Sequence, residues 1–163
     1  GWIDRLPRMA AVQPAATAPI PRAFRQRAPR AERHGDPAAT IAQSIAADAP
    51  IQGGKRVLRA IYESGGFAEE VTDEQIIEAM QWLGREGILA EPASASSLAA
   101  VMKAARLGVI GPDDCVVCVI TGTGMKQPAV VQEAAPKSPW RIHAEIGELK
   151  QWLSKNEWTF AGR

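Results

Sequence analysis

Hydrophobic positions fall into a clear rhythm from Gly53 onward, and the rhythm there is helical. Val57, Leu58, Ile61 and Tyr62 recur at the three- and four-residue steps of one helix face, and Gly65-Gly66 follows as a stop. After the short extended stretch FAEEV, Thr72 with Gln75 three residues on forms a capping box. Ile76, Met80 and Leu83 line one face of the helix it opens. Ile88 to Ala90 is a brief apolar segment. Pro92 and Ser94 then introduce a third helix, with Leu98, Val101, Met102 and Ala105 on one stripe and Gly108 as its end.

Beyond Gly108 the period changes. Cys115 to Ile120 is a run of six apolar residues, the pattern of a strand covered on both faces of a parallel sheet, and it ends in Thr-Gly-Thr-Gly. Helices alternating with strands predict an α/β fold, a mostly parallel sheet flanked by helices. Ser138-Pro139 starts a last predicted helix, about 139–155, in which Ile142, Ile146, Leu149 and Leu153 repeat at helical steps. The first fifty residues are rich in Ala, Pro and Arg. They predict only a short strand at Met9 to Val12 and a helix after Pro19 or Pro21.

Composition adds exclusions. The 163 residues, 46% hydrophobic, suit one globular unit with a real core, and a net charge of +1 gives no reason to invoke nucleic acid or a membrane surface. Arg22, Arg25, Arg27, Arg30 and Arg33 cluster locally, but interleaved prolines read them as a solvated helix-and-loop segment. No run reaches the roughly 20 apolar residues of a bilayer span, and GWIDRLPRM lacks the apolar stretch of a signal peptide, so a soluble, cytoplasmic protein is expected. Cys115 and Cys118 form a C-x-x-C, yet on a strand the two sulfurs diverge and no second pair completes a zinc site. Buried, reduced thiols are expected. Neither His34 nor His143 has partners at ligand spacing; both are expected at the surface, and no metal site is read.

Ligands of open α/β sheets bind beyond the carboxyl ends of strands, which points to Thr121-Gly122-Thr123-Gly124-Met125-Lys126. A threonine hydroxyl there can meet a ring nitrogen, and the glycines let a flat ligand approach the backbone. An ordinary glycine turn capped by Thr121 would carry the same letters, so both readings stay open. Glu91-Pro92-Ala93-Ser94-Ala95-Ser96 is a second junction of small side chains whose helix amides could face an anion, with simple capping by Ser94 as the plainer account. There is no third glycine of a dinucleotide fingerprint, no P-loop and no G-x-S-x-G elbow.

Taken in order, Glu63-Ser64-Gly65-Gly66, Val71-Thr72-Asp73-Glu74, Glu91-Pro92-Ala93-Ser94-Ala95 and Thr121-Gly122-x-Gly124-Met125-Lys126 resemble the C-terminal part of the threonine synthase family, fold type II pyridoxal-phosphate enzymes. The strongest match spans about 60 residues, 66–128. IDRLPRMAAVQ, Ala18-Pro19 and Arg22-Ala23-Phe24 extend it more weakly back to Ile3. The resemblance implies that residues 1–128 form part of the large cofactor domain and that 129–163 are an unmatched tail. It implies pyridoxal 5'-phosphate as cofactor, with Thr121 hydrogen-bonding the pyridine nitrogen and Glu91 near the ring. The family converts O-phosphohomoserine and water to threonine and phosphate.

Departures accompany the match. The Schiff-base lysine and the phosphate-binding glycine loop of the family belong to an earlier half that nothing here matches, so no catalytic residue is assigned and activity of this chain alone is not expected. Ile45-Ala46-Ala47-Asp48-Ala49-Pro50 replaces the usual Ile-Arg-Ile-Gly-Asn-Pro, and Thr123 and Gln127 stand where His and Asp are common. Starting at Gly1 rather than Met favours an expressed piece or a cleavage product. The implied partners are the missing N-terminal half or a second copy, with homo-oligomers expected to bury the open side, and an amino-acid substrate. Alternatives are a related threonine dehydratase or cysteate-synthase-like enzyme, and a non-catalytic interaction module using the apolar face of the 139–155 helix.

Overall fold

Phe67–Val71 is the strand around which the layers are arranged, because its side chains alternate between two separate cores. The computed structural model describes residues 4, 6–35, 38–135 and 145–155. Its elements are β1 (Ala10–Pro14), α1 (Pro19–Arg25), α2 (Lys55–Ser64), β2 (Phe67–Val71), α3 (Asp73–Arg85), α4 (Pro92–Arg106), α5 (Pro128–Ala134) and α6 (Ile146–Lys155). β1 and β2 pair in parallel from Ala10↔Phe67 to Pro14↔Val71. A parallel pair needs a long crossover, which the stretch carrying α1 and α2 supplies.

Ala11 and Ala68 face a core closed by Ile20 and Ala23 of α1 and by Leu58 and Ile61 of α2. Val12 and Val71 face the other, closed by Ile76, Ala79, Met80 and Leu83 of α3 and by Ala95, Ala99 and Ala100 of α4. The acidic pair within β2 obeys the same alternation. Glu69 meets Lys103 of α4 at 2.9 Å, while Glu70 meets Arg25 of α1 at 3.0 Å. Each carboxylate is therefore matched by a cation from the layer that covers it. Lys103 also donates to the Glu70 carbonyl at 2.7 Å, tying α4 to the strand's main chain.

The helix ends follow the sequence. Thr72 Oγ1 accepts from the Gln75 N–H at 3.3 Å and Gln75 Oε1 accepts from the Thr72 N–H at 3.0 Å, which is the reciprocal capping box. Gly65 closes α2 with φ of 64°, a left-handed conformation that costs glycine little. Ile76, Met80 and Leu83 are buried as the spacing predicts. On α2, Leu58 and Ile61 are buried, but Val57 and Tyr62 are exposed, Tyr62 lying over Phe24 and donating to the Ala28 carbonyl at 2.9 Å.

Three expectations need correction. The buried face of α4 is not the Leu98, Val101, Met102 and Ala105 stripe; those residues are partly buried or, for Ala105, exposed, while Ala95, Ala99, Ala100 and Ala104 are buried. Small side chains win because α4 is wedged between α3 and the sheet. His34 is half-buried rather than superficial, its Nδ1 accepting from the Ala18 N–H at 3.1 Å. The arginine cluster is exposed, as its prolines suggest, with Arg25 and Arg33 forming surface pairs with Glu70 and Asp48. α5 was not anticipated, although Pro128 at its start and Val130, Val131 and Ala134 at helical steps mark it. The Ser138-Pro139 helix start, Ile142 and His143 lie outside the described residues; α6 carries Ile146, Leu149 and Leu153, all exposed.

Cys115 to Ile120 also departs from the expected doubly covered strand. The segment has no ladder partner among the described residues, and the one described sheet holds only β1 and β2. It still alternates like a strand: Cys118 and Ile120 are half-buried, whereas Val117 and Val119 are 82% and 66% exposed. One face therefore lies against the domain and the other is open. The cysteines are both free, with Cys115 exposed rather than buried and Cys118 half-buried. Burial pushes the Cys118 thiol up, partly offset by a hydrogen bond with Ser97 on α4. Among the described residues no helix is long and apolar enough to cross a membrane.

Two measurements check this architecture. Ile76→Ala should lower stability by about 2–5 kcal/mol in urea unfolding, whereas Val117→Ala should stay within about 0.5 kcal/mol; equal losses would contradict the assigned faces. At pH 8, iodoacetamide should modify Cys115 well before Cys118, read by peptide mass spectrometry, because only the thiolate reacts and burial keeps Cys118 protonated to higher pH. Faster labelling of Cys118 would contradict the placement of the segment.

Candidate functional site

The turn after the extended segment folds back onto the start of α4, and the main chain holds the two together. The Glu91 N–H donates to the Gly122 carbonyl at 3.1 Å, the Gly124 N–H donates to the Leu89 carbonyl at 2.9 Å, and Ala90 and Thr123 form an antiparallel bridge. The brief apolar segment at Ile88 to Ala90 is thus the partner of the Thr-Gly-Thr-Gly turn. Thr123 Oγ1 then accepts from the Met125 N–H at 3.4 Å, starting the short 3-10 turn Gly124–Lys126. Gln127 Nε2 donates to the Ile41 carbonyl at 3.2 Å and anchors the far end.

Ser94 sits inside the first turn of α4 and is buried. It does not cap the helix; Glu91 occupies the N-cap position, with no side-chain cap bond. Instead Ser94 Oγ accepts from the N–H groups of Thr121 at 3.1 Å and Gly122 at 2.8 Å, and lies 3.0 Å from Thr121 Oγ1. The Thr121 side chain is otherwise exposed, at the end of the extended run.

Glu91 fills the space beside Gly122. A Cβ built on that glycine would collide with the Glu91 carboxylate, so a side chain at 122 would require that carboxylate to shift. The Glu91 side chain is only 10% exposed, and Lys126 Nζ stands 3.3 Å from its carboxylate. A buried carboxylate needs such a partner. Lys126 and Ser94 are the residues that spacing did not assign to the site; Lys126 lies in the quoted motif, but nothing local announces the position of its amine.

The sequence-predicted pair, Thr121 and Glu91, is therefore brought to one small region. The arginine-rich segment is not part of it: an open cleft of about 490 Å³ lined by Arg30, Arg33, Gln52, Gly53 and Lys55 shares no residue with the Thr121 turn.

A family model described as pyridoxal-phosphate dependent enzyme matches residues 1–122. The chain belongs to that family. It is of the α/β, fold type II class with a parallel sheet, and the cofactor of the family is pyridoxal phosphate. Curated relatives include the threonine synthase of Methanocaldococcus jannaschii, 43% identical over 156 residues, which covers 95% of this chain and 38% of that protein. The threonine synthase of Methanosarcina acetivorans is 40% identical over 152 residues, covering 93% and 37%, and that of Mycobacterium leprae 37% over 149 residues, covering 88% and 38%. The chain spans less than two fifths of the length of these relatives.

The residues at the turn fit one side of a pyridoxal phosphate site. An exposed hydroxyl terminates an extended segment, with a glycine next to it and a carboxylate packed alongside. The packing of Gly122 on Glu91 gives a sharp test. Gly122→Ala should destabilise the chain by about 1–3 kcal/mol in urea unfolding, and much less in a Glu91→Ala background where the obstructing carboxylate is gone. Additive losses in the double variant would show that the two do not touch.

Proposed function

We propose that this chain is the C-terminal portion of a threonine synthase, supplying the hydroxyl side of the cofactor site to an enzyme that converts O-phosphohomoserine and water to threonine and phosphate. The observation that carries the reading is the exposed Thr121 hydroxyl beside Gly122 and Glu91, in a chain whose curated relatives are threonine synthases. Pyridoxal phosphate, when bound, supplies an electron sink for carbanion chemistry. The part of this chain would be to bind and orient it: Thr121 would meet the ring nitrogen with a neutral hydroxyl, and Glu91, packed against Gly122 and paired with Lys126, would stand near the ring.

On this reading the lysine that carries the cofactor and the loop that binds its phosphate belong to polypeptide outside these residues, and the chain alone is inactive. Residues 1–128 are part of the cofactor domain and 129–163 follow it as a tail; the alignment covering 95% of the chain takes in most of that tail. The open face at Val117 and Val119, with the unpaired main chain of the same segment, is the seam where the remaining sheet adds on. Without it, copies of the chain associate through that face. The assembled enzyme works in the cytoplasm on an amino-acid substrate.

The test is to join the chain to polypeptide covering the first three fifths of its relatives. The isolated chain should give no stable adduct after borohydride treatment with pyridoxal phosphate. The joined protein should show the visible absorbance of bound cofactor and release phosphate from O-phosphohomoserine, and Thr121→Ala should lower that rate by about tenfold or more, one hydrogen bond of about 1.4 kcal/mol. A specific lysine adduct on the isolated chain, or full activity in Thr121→Ala, would overturn the reading.

A further inference from the structure

The hydrogen bonds around Ser94 can be counted proton by proton. A serine hydroxyl has two lone pairs and one proton. The N–H groups of Thr121, at 3.1 Å, and Gly122, at 2.8 Å, both point at Ser94 Oγ and take up the two lone pairs. Thr121 Oγ1 lies 3.0 Å away, and for it to donate to Ser94 a third lone pair would be needed. The proton between the two oxygens is therefore the serine's. Ser94 is 2% exposed, so water does not compete for it.

We infer that Ser94 is a positioning residue: it donates its only proton to Thr121 Oγ1 and so leaves the threonine's own proton to be offered outward, to an unprotonated pyridine nitrogen. The inference rests on the reading of Thr121 as the ring-nitrogen partner. It deepens that reading, because a threonine whose proton was spent on Ser94 would present only lone pairs and would suit a protonated ring instead. Accepting from Ser94 also polarises the threonine hydroxyl into a better donor. The side chain of α4 thus selects the protonation state of a ring it does not touch. The main chain enforces the choice, since both lone pairs of Ser94 are committed to N–H groups that have no acceptor in a ladder.

Neutron diffraction from a deuterium-exchanged crystal of the chain decides the hydroxyl order without any cofactor. The expected map places deuterium on Ser94 Oγ, on the line to Thr121 Oγ1, with the Thr121 deuterium turned away. A Thr121 deuterium pointing at Ser94 overturns the inference. In the chain joined to its upstream polypeptide, cofactor labelled with 15N in the ring should resonate near the neutral pyridine position. It should move toward the pyridinium position in Ser94→Ala and return in Ser94→Thr, which restores a hydroxyl; an unchanged resonance in Ser94→Ala counts against the inference. If the joined protein holds no cofactor, the reading of Thr121 falls, while the deuterium positions still decide what Ser94 does.

Discussion

Two main-chain N–H groups, at Thr121 and Gly122, emerge from a segment that has no ladder to receive them, and one buried hydroxyl on α4 takes both. An unpaired buried N–H costs about 1–3 kcal/mol, so this oxygen adds to the Glu91–Gly122 and Gly124–Leu89 main-chain bonds that hold the turn against the start of the helix. α4 is itself fixed, wedged by its alanines between α3 and the sheet, and Lys103 joins it to both the side chain of Glu69 and the main chain of Glu70. The rigidity of the core is passed through Ser94 to Thr121, and the exposed hydroxyl is presented by a surface that cannot easily shift.

The opposite face of the same segment is open to solvent. Val117 and Val119 stand open and the main chain beside them has no strand to pair with among the described residues. An open apolar edge of this kind favours association. The sheet of two parallel strands, covered on both faces by helices, is a portion of the α/β layer that the family builds.

How much of this was legible depended on whether the cause lay within the chain. The capping box at Thr72 and Gln75, the stop at Gly65 and the buried face of α3 are local matters of hydrogen bonding and spacing, and they could be read directly. The six apolar residues at Cys115 to Ile120 carry the pattern of a strand covered twice, yet among the described residues only one side is covered. The buried face of α4 was misread because hydrophobicity favours Leu98 and Met102, while close packing favours Ala95 and Ala99. Thr121 could be singled out from its place after a strand-like run and from the resemblance. The part of Ser94 could not, because nothing in a linear spacing of 27 residues says that one hydroxyl will meet two amides and another hydroxyl.

On the proposed function, Thr121 offers its hydroxyl to the ring nitrogen of pyridoxal phosphate once the upstream polypeptide is joined. A crystal structure of the chain joined to its upstream polypeptide, with cofactor bound, tests this most directly. The expected structure has Thr121 Oγ1 at about 2.7–3.0 Å from the ring nitrogen, with Ser94 still beneath it. A ring nitrogen met by any other group, with Thr121 beyond hydrogen-bond reach, would contradict it.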